Sequence, residues 1–152
     1  MAQVDVAGLP PTQEDLELQE VVSEAVANDE VVRTADVPII VSVANRVVTL
    51  SGIVLSRMMR ERVLYLAAST PGVEKVVDDL VTDPEIEMTI AQLIANDPAL
   101  KHRKIEVTSY MGQVTLYAPS VTAEERERAL ALAATARGVQ AVLDHLTVSV
   151  PD

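Results

Sequence analysis

Val48-Thr49-Leu50 recurs as Val114-Thr115-Leu116, Arg60-Glu61-Arg62 as Arg126-Glu127-Arg128, and Gly72-Val73 as Gly138-Val139, each at an offset of 66 residues (114 − 48). Upstream, Asn28-Asp29 matches Asn96-Asp97 at an offset of 68 (96 − 28), so the first copy carries two extra residues, which we place between Arg33 and Pro38. A repeat this long divides the 152-residue chain into two domains of nearly equal size. Residues 1–11 read as a flexible tail, 12–82 as the first domain and 83–152 as the second. A domain of that size buries only about 60% of its unfolded surface. With almost no linker between the copies, the two are expected to pack on each other within the chain, and a homo-oligomer is a further expectation.

Within each copy the apolar spacing sets the elements. Thr12 opens a helix with Asp15 as its capping-box partner, and Leu18, Val21, Val22, Ala25 and Val26 follow at helical spacing as far as Asn28. After a loop holding Pro38, Ile39, Val41 and Val43 alternate as a strand, Asn45-Arg46 turns the chain, and Val48, Leu50 and Gly52 alternate back. Ser56 caps a second helix to about Ser69, with Val63, Leu66 and Ala67 facing inward. Pro71-Gly72 ends it, and Val76, Asp78 and Leu80 make a third strand. In the second copy Asp83 is read as the cap and Pro84 as the first helical residue, where its missing N–H costs nothing. Ile86, Ile90, Leu93 and Ile94 form the apolar face. A hairpin runs from Ile105 through Met111-Gly112 to Leu116, Thr122 and Glu125 open a helix through Ala136, and Val142, Asp144, Leu146 and Val148 close the sheet. The fold class is α+β: two repeated α-β-β-α-β domains, each a three-stranded mixed sheet covered on one face by two helices. A right-handed crossover makes the last strand parallel to the hairpin's return strand.

Composition removes several functions. The net charge is −11 and the isoelectric point about 4.5. Such a surface repels phosphate backbones, which argues against nucleic acid, and no Gly-x-x-Gly loop supports a KH-like RNA module. The absence of cysteine excludes disulfides, thiolate metal sites and cysteine nucleophiles. No stretch approaches 18 consecutive apolar residues, so no transmembrane segment is expected. Residues 1–11 show neither a basic nor an apolar leader region, and the chain reads as cytoplasmic. The two histidines, His102 and His145, fall opposite Asp36 and Asp79 of the first copy, and no nucleophile elbow or phosphate-binding glycine loop is present. We therefore expect no enzyme and no cofactor.

The order of these signals resembles the BON family (bacterial OsmY and nodulation domain), twice over. The resemblance rests on Asn28-Asp29, on Ile39-x-Val41-x-Val43, on Val48-Thr49-Leu50-Ser51-Gly52, on Arg60-Glu61-Arg62, and on Pro71-Gly72-Val73 with Val76-x-Asp78-x-Leu80. It covers about 14–82 and 84–148. The second copy departs from it where Tyr117-Ala118-Pro119 replaces Ser51-Gly52-Ile53, where Met111 precedes the turn glycine, and where Arg137 stands for Pro71. If Gly52 has positive φ, Ala118 requires a different local backbone. The resemblance implies binding rather than catalysis: attachment to membrane phospholipid or to an envelope- or stress-associated partner, and in some members potassium binding.

Three sets of residues are candidates for such binding. Lys101, His102, Arg103 and Lys104 form a basic run suited to a lipid headgroup or phosphate; the plain structural reading is a solvated loop offsetting nearby acids. Tyr110 and Met111 make an apolar contact tip, for the sister domain, a protein partner or lipid. Asp78 and Asp144 fall on the core side of their strands by period 2, where a carboxylate must be hydrogen-bonded or paired. Backbone N–H partners are the plain reading and a potassium site the sharper one. Arg60-Glu61-Arg62 and Arg126-Glu127-Arg128 read as solvated helix faces paired along the helix.

Overall fold

The computed structural model describes residues 11–149, and the expected tail lies outside them but for Pro11. The chain forms two compact units that divide between Leu80 and Val81. The first contains α1 (Gln13–Ala27), α2 (Glu30–Ala35), β1 (Ile39–Ala44), β2 (Val47–Val54) and α3 (Arg57–Ala68). β3 (Lys75–Thr82) closes it. The second contains α4 (Asp83–Ala95), β4 (Glu106–Tyr110), β5 (Gln113–Val121), α5 (Ala123–Ala134) and β6 (Ala141–Val148). The sheet orders are β1-β2-β3 and β4-β5-β6. Both sheets are mixed, and the fold class read from the sequence is the observed one. Among the described residues no helix is long and apolar enough to cross a membrane.

Local signals account for most of the boundaries. Thr12 with Asp15 and Thr122 with Glu125 form capping boxes, and Ser56 Oγ accepts the Met59 N–H. Both hairpins close through two residues of positive φ, Asn45-Arg46 and Met111-Gly112, the backbone that matches the twist of paired strands. β1 pairs antiparallel with β2 and β4 with β5; β6 runs parallel to β5, as expected for a strand reached through a helical crossover. The first core gathers Val22, Val26, Val48, Leu50, Val54, Val63 and Ala67, each at most 2% exposed. Ile86, Ile90, Leu100, Val114, Leu116, Ala129 and Ala133 do the same in the second.

Two local expectations change and a third holds. The segment before Pro38 holds the short helix α2, not only a loop; Asp29 caps it and Asp36 ends it in the left-handed region, so the two extra residues extend a helical turn. The cap of α4 is Thr82, paired with Glu85, and Pro84 is the second helical residue. Asp83 is thereby freed for another task. Gly52 has φ +128, and a Cβ there would stand 2.8 Å from the Pro38 carbonyl oxygen. Ala118 is not among the positive-φ residues, and the β5–β6 register shifts between it and Val121, so the second copy has the altered backbone its sequence called for.

Candidate functional site

The recurring Arg-x-Arg of each second helix is a clasp rather than a solvated face. Residues two apart on a helix point to nearly opposite flanks, so one helix can hold two neighbours. In the first copy Arg62 grips Asp29 at the end of α1 through two bonds of 2.6 and 2.7 Å, while Arg60 Nε donates to Asp78 on β3 at 2.9 Å. In the second copy Arg128 Nε donates to Asp97 after α4 at 2.6 Å, and Arg126 Nε donates to Asp144 on β6 at 2.6 Å. Asp29 accepts the Val31 and Val32 N–H groups as well, and Asp97 accepts that of Ala99. Each aspartate thus ends one helix, starts the next turn and anchors a guanidinium. The Arg62 bond, opposed in part by desolvation, holds the Asp29 carboxyl below the usual range.

Asp78 and Asp144 need a correction of environment. The β5–β6 register sets Asp144 opposite the buried Leu116, on the helix-covered face as period 2 requires. Yet β3 and β6 are edge strands, and the two side chains keep 30% and 26% of their surface in water. Asp78 accepts the Leu80 N–H and Asp144 the Leu146 N–H, both at 3.0 Å. That backbone bond, with Arg126, keeps the Asp144 carboxyl low against a partial desolvation. Among the described residues no group of three His, Asp or Glu side chains is placed to hold a metal ion.

A second duplicated device sits at the hairpin tips. Asp83 is 4% exposed and accepts from Ser109 Oγ at 2.7 Å, Met111 N–H at 2.9 Å and Gly112 N–H at 3.0 Å. Its counterpart by the offset of 68, Asp15, is 7% exposed and accepts the Arg46 N–H at 3.5 Å. Burial pushes the Asp15 carboxyl up, but bonds from Asn45, Thr12 and Arg46 outweigh it and leave the group low. In the first copy Asp15 is both capping partner and tip acceptor; in the second Glu85 and Asp83 divide these duties.

The basic run occupies the turn between α4 and β4, seated by the fully buried Leu100. Arg103 Nε donates to Glu125 at 2.7 Å. Glu125 is held low first by that guanidinium and then by the Thr122 N–H. Lys101, His102 and Lys104 remain exposed on the surface. Tyr110, 64% exposed, and Met111 lie at the other end of β4. A five-residue strand rising about 3.3 Å per residue separates the two by about 15 Å, so the basic run and the apolar tip do not meet. The register joins Tyr110 to something else. Glu106, Thr108 and Tyr110, with Gln113, Thr115 and Tyr117 and with Ala141, Leu143 and His145, line the sheet face turned away from the helices. Tyr117 and Leu143 are 47% and 45% exposed there. Leu143 was not singled out from sequence and Tyr117 only as a departure of the second copy, although strand alternation placed both opposite the core; the clasps were missed although their acids and bases recur together.

A model of the BON domain matches the chain twice, over residues 14–84 and 82–149. No curated protein matches it by sequence. Solved structures share its fold, two of CdsD among them. CdsD is a structural protein of the type III secretion system of Chlamydia trachomatis; one structure matches at 9% identity and a TM-score of 0.71, and the other, of its C-terminal domain, at 11% and 0.67. The matches cover 89% and 90% of this chain but 63% and 67% of those.

Proposed function

Since the chain belongs to the BON domain family, we propose that it is a non-enzymatic binding and scaffolding module that engages a protein partner through the open sheet face of its second copy. The observation that carries this reading is the character of that face. In a chain of net charge −11 it presents Tyr110, Tyr117 and Leu143 exposed among Thr108, Gln113, Thr115 and Ala141, with Glu106 and His145 in its outer row. Tyrosine brings large, rigid contact area with a polar tip and dominates many protein interfaces. The arginine clasps hold the helices on the opposite face, which leaves this one for association. A fold-level neighbour, CdsD, is a structural protein of a secretion system, in keeping with a scaffolding role.

Site-specific photo-crosslinking in the cells that produce the protein tests it. A crosslinker at Tyr117 or Leu143 is expected to trap a defined protein, and one at Glu124 on α5 is not. No adduct from the open face would overturn the reading. Exposed Lys101, His102 and Lys104 favour a second reading, attachment to anionic phospholipid, worth about 1 kcal/mol per basic residue near the membrane. Salt-sensitive sedimentation with anionic vesicles, lost on replacing Lys101 and Lys104, would support it. A melting temperature raised by potassium over sodium at equal ionic strength would instead support the cation reading around Asp78 or Asp144.

A further inference from the structure

A groove of about 310 Å³ lies on the first copy between the start of α1, the β1–β2 tip and the α3–β3 turn, lined by Glu14, Asp15, Glu17, Leu18, Val21, Arg46 and Gly72. At the corresponding glycine of the second copy the side chains crowd closer. There a Cβ on Gly138 would stand 3.0 Å from Val81 and 3.1 Å from Ile86, whereas beside Gly72 only Leu18 comes near, at 3.5 Å. Arg46 also departs from its counterpart. It holds φ +66 at the turn position where the second copy has Gly112, a conformation that disfavours a side chain. Among the described residues no carboxylate pairs with its guanidinium, in contrast to Arg60, Arg62, Arg126 and Arg128.

We propose that this groove binds a small basic zwitterion, an amino acid carrying a second cationic group. The charges set the class. Arg46 is matched by one carboxylate, and Glu14 and Glu17, exposed on one side of α1, are matched by two cations. Glu17 accepts only a 3.2 Å bond from Gln13, and Asp15 is already engaged by backbone N–H groups. The aliphatic stem of such a ligand lies over Leu18 and Val21, the latter 50% exposed. The volume of about 310 Å³ is near the lower bound for ligand sites and suits an occupant of amino-acid size. Arginine and lysine fit this description; a diacid or a neutral amino acid does not.

Titration of the full chain with L-arginine, followed by backbone amide resonances, tests the proposal. Saturable shifts at Leu18, Val21 and Gly72 are expected with a Kd on the order of 1 mM. Argininamide, which lacks the carboxylate, and Arg46→Gly, which makes the tip like that of the second copy, should each weaken binding about fivefold or more. Arg46→Gly relieves a left-handed residue and is expected to melt higher, so its loss of binding would not be unfolding. Glu17→Gln on the exposed side of α1 provides an independent variant and should also weaken binding. Shifts that grow linearly without saturating, or that persist unchanged with argininamide and in both variants, would overturn the proposal.

Discussion

Asp83 shows how a single carboxylate can decide a local conformation. Met111 takes φ +54, a backbone region that favours Gly, Asn or Asp, and Asp83 holds it there by accepting the Met111 and Gly112 N–H groups. Asp83→Ala would leave two amides without their acceptor, at about 1–3 kcal/mol each. We expect the second copy to lose about 3 kcal/mol, measured as an earlier thermal transition with the first copy's transition unmoved. Asp83→Asn should lose less, since its carbonyl still accepts. The sequence reading cast Asp83 as a helix cap, because a cap is a signal within four residues, whereas its partners lie 26 to 29 residues away. Arg46 was read correctly as a turn residue; that it borders a groove depends on how α1 and Gly72 come to lie beside it.

Among the elements, the strands and capped helices were legible because their signals are periodic and local. The two hairpins were placed at Asn45-Arg46 and Met111-Gly112, where the register finds them. What joins helix to strand was not legible. Arg62 meets Asp29 across 33 residues and Arg128 meets Asp97 across 31. A double-mutant cycle on Arg128 and Asp97 should return a coupling of about 1 kcal/mol, since the arginine is half exposed while the aspartate is buried. A coupling near zero would make the clasp ornamental. Gly52→Ala is the matching test of the hairpin. Its Cβ would meet the carbonyl of Pro38, just ahead of β1, at a positive φ, and a loss of about 2 kcal/mol in urea unfolding of the first copy is expected. The second copy already carries Ala118 at this place on a changed backbone, so alanine there is tolerated.

Across the whole molecule, Asp15, Asp29, Glu125 and Asp144 share one behaviour: each is held below its ordinary carboxylate range by bonds to arginine or to backbone N–H groups. A carboxylate depressed in the folded state contributes stability above its unfolded value, near pH 4, and that stability is lost as pH falls through the folded values. The melting temperature should therefore stay level from pH 7 to about pH 5 and fall steeply below pH 4. Asp29→Asn should flatten that acid limb; an unchanged profile would mean the Asp29 pair is not formed in solution. The sequence by itself determined the duplication, the α-β-β-α-β order of the main elements and the absence of cysteine chemistry, because repetition, period and composition are properties of the chain read in line. Only the tertiary structure decided the pairing of each Arg-x-Arg with two distant aspartates, the separation of the basic run from the apolar tip, and the joining of Tyr110 to Tyr117 and Leu143 on one open face. Those relations depend on strand register and on the packing of helix against sheet, which bring together residues whose spacing along the chain carries no trace of their contact.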